Sequence, residues 1–190
     1  MQSGLTICRA FLTAAAMLAI TPVTSAVTAR SRLIISPQTA FAMRVVAAHN
    51  QLRADAAVQP ALWDAQLAAS ADAYAAELAR TGRFAHSVAE SRQGHGENLW
   101  MGTSGAFSVD RMVADWGSEK RMFRAGQFPS VSTTGRWEDV GHYTQIIWRT
   151  SVRVGCAVRS PAKFDYLVCH YGQNGNVFGQ RVGMLEPPSR

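Results

Sequence analysis

Three cysteines in 190 residues are too few to staple a small fold together, so a hydrophobic core must carry the stability. Long apolar runs are missing after residue 26, which leaves no candidate for a membrane-spanning helix beyond that point. Runs of five or six like charges are missing as well. The basic residues are scattered, which argues against a nucleic-acid footprint. Two catalytic signatures are absent. Without His-Glu-x-x-His there is no zinc protease of that type, and without Gly-x-Ser-x-Gly there is no nucleophile elbow. Internal repeats and low-complexity tracts are also lacking.

What is present starts with a leader. Arg9 is the only charge in residues 1–26, Ala10 to Ile20 is apolar, and Thr24-Ser25-Ala26 offers the small residues a signal peptidase prefers. The apolar run is too short to span a bilayer and stops at Pro22. Residues 1–26 therefore read as a secretory signal peptide, with Val27-Thr28-Ala29 as a second cleavage site. Cys8 leaves with it. The expected destination is the periplasm or the exterior. The remaining ~160 residues make one domain, expected to be monomeric. The whole chain carries 19 basic and 13 acidic residues, net +6; loss of Arg9 leaves 18 against 13, or +5. Such a surface is mildly attracted to anionic envelope or cell-surface polymers.

The other two cysteines are Cys156 and Cys169. Val154 to Val158 and Tyr166 to Tyr171 read as strands joined by a short polar connection around Ser160-Pro161. In a hairpin centred near residues 162 and 163 partners sum to 325, which sets Cys156 opposite Cys169. Opposed residues in an antiparallel ladder lie within disulfide range, and export supplies the oxidising compartment.

Upstream, Ser36-Pro37 starts a helix with Phe41, Val45, Ala48 and Leu52 on one face. It also carries His49, Asn50 and Arg53, expected to tie neighbouring loops to the helix. Asp64 caps a second helix with the stripe Leu67, Ala71, Tyr74 and Leu78, and Gly82 ends it. Residues 83–105 read as a long loop containing Phe84-Ala85-His86-Ser87 and Gly96-Glu97-Asn98-Leu99. Ser108 caps a third helix whose apolar line is Val109, Met112, Trp116 and Phe123, with Glu119 on the same line. Residues 124–140 read as a Gly/Pro/Ser/Thr loop, and residues 177–182 as a last strand.

Between these lies Gly141-His142-Tyr143-Thr144-Gln145-Ile146-Ile147-Trp148. By propensity Tyr143 to Trp148 is strand-like. The octapeptide, with Ser151, closely resembles a signature of the CAP superfamily: cysteine-rich secretory proteins, antigen 5 and pathogenesis-related class one proteins. His49-Asn50 with Arg53, the Gly96-Glu97-Asn98-Leu99 motif, and Leu167-Val168-Cys169-His170-Tyr171 with Gly175-Asn176-Val177 resemble three more elements of that family in the same order. The similarity spans about residues 40–183, so the domain is set at 40–185, after a lead-in of 27–39 and before a tail of 186–190. The chain departs from the family at Gln173, where proline is common, and at His170, where asparagine is frequent. It also lacks the other disulfides of plant and animal relatives and any cysteine-rich extension, as a bacterial-type member would.

The resemblance implies an α+β fold, a three-layer α-β-α sandwich around a small antiparallel sheet, and a helix rather than a strand at the octapeptide. It also implies a cleft with two histidines and two acids, here His86, Glu97, Glu119 and His142, with Glu138 as the rival acid. Two imidazoles can ligate zinc or a similar divalent ion, with carboxylates orienting the rings. His95 is expected to be solvated. The function expected from all this is an extracellular binding protein, with metal or a small ligand at His86 and His142 and no assigned enzyme activity. Two alternatives follow: a sterol or fatty-acid carrier using Phe41, Val45, Ile146 and Ile147, or a hydrolase using the His/Glu cleft.

Overall fold

A computed structural model describes residues 35–92 and 94–183. The leader, most of the 27–39 lead-in and the 186–190 tail lie outside these residues.

The caps act where short polar side chains meet helix starts. Ser36 Oγ accepts from Thr39 N (3.1 Å) and opens α1 (Pro37–Asp55). Leu62–Trp63 is a two-residue strand, β1. Asp64 Oδ1 then accepts from the amides of Gln66 (2.9 Å) and Leu67 (3.0 Å) to open α2 (Ala65–Thr81), which stops at Gly82 in the left-handed region, φ 68°. β2 (Gly96–Thr103), α3 (Val109–Gly117, capped by Ser108), β3 (Gly126–Gln127) and α4 (Gly141–Ile146) follow. The chain closes with β4 (Arg153–Arg159), β5 (Phe164–Tyr171) and β6 (Arg181–Val182).

One sheet runs β1-β4-β5-β2, antiparallel except for the parallel β1–β4 pair; β3 and β6 form a separate two-stranded ribbon. The sheet sorts its side chains by parity. Tyr166 and Val168 of β5 and Leu99 of β2 face α2, joining Ala71, Ala75 and Leu78 in a small core. Leu167, Cys169 and Tyr171 of β5, with Trp100 of β2, face the larger core built with α1, α3 and α4. Helix, sheet and helices make three layers, an α-β-α sandwich.

Every β4–β5 pair sums to 325, and Cys156 opposes Cys169 in a disulfide with Cα atoms 4.1 Å apart. Reducing this bridge is expected to lower the unfolding free energy by about 3 kcal/mol. Urea unfolding with and without reductant measures it, and equal midpoints would remove the bridge from the account.

Three sequence expectations change. The motif Gly96 to Leu99 belongs to no loop: it is the start of β2, paired along its whole length with β5. The third helix ends at Gly117, and Glu119 stands in a 3-10 turn, Ser118–Met122, off the line through Phe123. The last strand shrinks to Arg181–Val182, because residues 177–180 turn back on themselves, with Gln180 N bonding Val177 O. The helix that the resemblance implies at the octapeptide is present: Tyr143 to Ile146 is helical despite its β-branched residues, since burial in the larger core overrides local preference. The lipid-carrier face also reads differently. Val45, Ile146 and Ile147 are fully buried in that core, and of the four only Phe41 is left partly open.

Candidate functional site

β2 is the outermost strand of its sheet, so both faces meet at its exposed edge. Glu97 points to the α2 face and Asn98 to the opposite one. A cleft of about 560 Å³ runs over this edge, walled by His86, His95, Glu97, Asn98, Glu138 and His142 among others.

On the α2 face Glu97 is the hub. Its side chain is 1% exposed. Oε1 receives His86 Nδ1 (2.6 Å) and the Ser87 amide (3.0 Å); Oε2 receives the Ser87 hydroxyl (2.7 Å) and His170 Nε2 (3.2 Å). Arg92 approaches Oε1 at 3.6 Å. Burial opposes the charge, yet the hydrogen bonds from His170, His86 and Ser87 outweigh it and hold the carboxyl well below the usual carboxylate range. A carboxylate only accepts, so His86 donates from Nδ1, and the neutral ring in this tautomer has its lone pair on Nε2. His170 sits directly across the ladder from Glu97, with Nδ1 against Ser70 Oγ (3.0 Å) on α2.

The other face repeats the arrangement. Glu119 Oε1 receives His142 Nδ1 (2.6 Å), and its Oε2 takes the Tyr143 amide (3.0 Å). Trp116 stacks on the His142 ring with centroids 5.9 Å apart and planes 15° from parallel. His142 thus also donates from Nδ1, and its neutral ring has the lone pair on Nε2. Both rings line the cleft; the His86 side chain is 57% exposed and that of His142 33%. Among the described residues, no protein partner reaches Nε2 of either ring.

Behind them runs a hydrogen-bonded relay. Asn98 Nδ2 donates to His142 O (3.1 Å) and to Tyr171 Oη (3.0 Å); the tyrosine hydroxyl then donates to His49 Nε2 (3.0 Å), whose Nδ1 donates to Val45 O (2.8 Å). Burial, with a lesser push from Arg53, lowers the His49 pKa to about 4 against the pull of the Val45 carbonyl. It is a neutral core imidazole. Asn50 clasps Ala61 through both backbone groups. Arg53, 1% exposed, donates to the carbonyls of Gln59, Ile146 and Trp148. In the octapeptide, Thr144 Oγ1 donates to Asn176 Oδ1 (2.6 Å), and Gln145 bridges Ser151 Oγ and the Gly175 amide. Gly141 accepts from Asn176 Nδ2. Tyr143 and Trp148 are core.

Some assignments come from the structure alone. Ser87 and His170 anchor Glu97, and only the cross-strand register points to His170. His95 is half-buried in the cleft wall rather than freely solvated; burial first, then the nearby His170 and Arg153, lower its pKa against Asp64. Glu138 lines the cleft without holding a ring. His49 also lies close to Cys156 and Cys169, but the sulfurs are spent on the disulfide and both ring nitrogens on hydrogen bonds, so no metal fits there.

The profile of the cysteine-rich secretory protein family matches residues 46–171. The chain is 39% identical over 134 residues to pathogenesis-related protein 1C of Nicotiana tabacum, covering 70% of this chain and 75% of that one. It belongs to the cysteine-rich secretory protein, or CAP, family. Pathogenesis-related protein 1 of Arabidopsis thaliana is 37% identical over 134 residues, 70% of this chain and 76% of the relative. Among solved structures, NaASP2 with Zn2+ superposes with a TM-score of 0.65 at 24% identity, covering 81% of this chain and 89% of that one. BmVAL-1 gives 0.61 at 23%, covering 82% and 86%. These two share the fold. No helix among the described residues is long and apolar enough to cross a membrane.

Proposed function

We propose that this CAP protein is exported and acts as an extracellular binding domain whose His/Glu cleft takes a divalent cation, zinc by preference. One observation carries the reading: two imidazoles in one cleft are each fixed through Nδ1 by a buried or half-buried carboxylate. That is the carboxylate–histidine arrangement that orients rings and raises their basicity toward a metal. The donor set fits zinc, a borderline ion that accepts imidazole nitrogen. His86 and His142 would hold it, and Glu97 and Glu119 would keep the rings in place. NaASP2, a solved relative by fold, was crystallised with zinc. Bound there, the ion would offer open coordination positions to an anionic or carbonyl ligand. Two protein ligands are fewer than the three usual at catalytic zinc, so affinity is modest and turnover is not implied. The Ser87 hydroxyl, beside His86 in the chain, is committed to Glu97.

Calorimetric zinc titration of the metal-free mature protein tests this. The expected result is one saturable site, absent in the His86→Ala, His142→Ala double variant. Glu97→Gln should bind roughly 10- to 100-fold more weakly. Equal binding by the wild type and the double variant would sink the proposal.

A further inference from the structure

The sheet has a second edge. β1 covers β4 only briefly: Val152 O accepts from Leu62 N (2.9 Å), and Val154 O from Asp64 N (2.9 Å). The chain then leaves the sheet for α2. Backbone groups along a strand alternate sides, so even-numbered residues of β4 face outward, while Arg153 faces β5 and accepts from Gly172 N (2.9 Å). Cys156 and Val158 therefore aim one N–H and one C=O each away from β5, past the end of β1. Among the described residues, none of these four groups has a partner. A backbone polar group left without a partner near a core costs roughly 1–3 kcal/mol, so native folds rarely leave one there. Cys156 is only 3% exposed.

These groups open onto a groove of about 800 Å³. One wall is the first turns of α1, with Phe41 and Ala42; the other is α2, with Ala68 and Ala69; Trp63 closes the end where β1 stops. Four consecutive β4 residues, Cys156 to Arg159, form its floor, as happens when a groove follows a strand edge. Two charges lie along it, Asp72 and Arg159, and they cancel as a bidentate ion pair.

We propose that the open edge of β4 binds an extended peptide of a partner protein as an added strand, uncharged and apolar over the residues it buries. The evenly spaced donors and acceptors select a polypeptide, because an acyl chain offers nothing to pair with them. Residues two apart repeat every ~6.8 Å, the period an incoming strand presents. The neutralised Asp72–Arg159 pair leaves no charge for the occupant to balance. A second copy of this chain fits poorly. Its own β4 edge is sunk between the same two helices, so two such edges cannot approach to the ~4.8 Å of strand pairing. The added strand would continue the existing sheet beyond β1.

The test uses 15N-labelled mature protein and a capped hexapeptide of alternating valine and threonine. The control is the same peptide N-methylated at alternate amides, which keeps the apolar surface and removes the donors. The expected result is saturable shifts at the Cys156 and Val158 amides, slowed hydrogen exchange there, and at least tenfold weaker binding by the methylated peptide. Val158→Pro removes one outward N–H without touching the β5 ladder and should weaken binding about five- to tenfold. Ala69→Trp, at an exposed wall position, should block it. Several outcomes would overturn the proposal: no saturable shift at millimolar peptide, equal binding by the methylated peptide, displacement of the peptide by oleate with the same amides unmoved, or a concentration-dependent dimer that protects the edge.

Discussion

Gly155→Ala should lower the unfolding free energy by about 3 kcal/mol. A Cβ at Gly155 would lie 2.1 Å from Ala68 N, 2.5 Å from Asp64 O and 2.6 Å from Leu67 C. All three are backbone atoms of the α2 cap and first turn. No rotamer change can move them. Making room means lifting α2 off β4, which opens the small core of Ala71, Ala75, Leu78 and Val168. The contrast is Gly105→Ala. Gly105 has φ +71°, but a Cβ there meets nothing within 4 Å, so the cost is backbone strain of about 1 kcal/mol. Urea unfolding of the two variants measures the difference. Equal midpoints would mean that α2 does not seat on β4 as described.

Stability should also fall by about 3 kcal/mol between pH 6.5 and 4, and His49 is the reason. Its pKa drops from 6.5 in the open chain to about 4 in the fold. Within that window the unfolded chain binds a proton that the folded chain refuses. Stability is therefore complete above pH 6.5 and declines as the pH falls toward 4, at about 1.36 kcal/mol per pH unit. Below pH 4 both states are protonated and this loss stops. Glu97 then takes over: its folded pKa is depressed, so its contribution is present above the ordinary glutamate value and fades as acid protonates it. His49→Gln should start less stable, having lost a well-fitted relay partner, but should show a much flatter slope between pH 6.5 and 4. An unchanged slope would assign the acid sensitivity elsewhere.

Much of this architecture was legible because it follows from local chemistry. Ser36, Asp64, Gly82 and Ser108 mark helix ends through side-chain oxygens and a left-handed glycine, and each does so in the structure. The hairpin register followed from loop length and set the cysteines face to face. What escaped did so for identifiable reasons. β2 has no polar–apolar alternation over Gly96 to Trp100, because both faces of that stretch are buried, so it read as a loop. The buried face of α1 includes His49 and Arg53, polar residues that a hydrophobic stripe cannot reveal. Glu119 reaches His142 from a 3-10 turn, where spacing along an α-helix carries no information. Ser87 and His170 gather on Glu97 through long-range pairing, which no local pattern encodes.

The two edges of the sheet thus present different chemistry. At β2 the side chains of both faces converge on a polar cleft; at β4 the backbone itself is left open. Histidine 15N spectra during zinc titration show whether the cleft holds one ion between its two rings. The expected result is that Nε2 of His86 and Nε2 of His142 shift together, saturating at one equivalent, while both Nδ1 atoms stay protonated against Glu97 and Glu119. Movement of only one ring, or loss of the Nδ1 protons in place of Nε2 coordination, would contradict it.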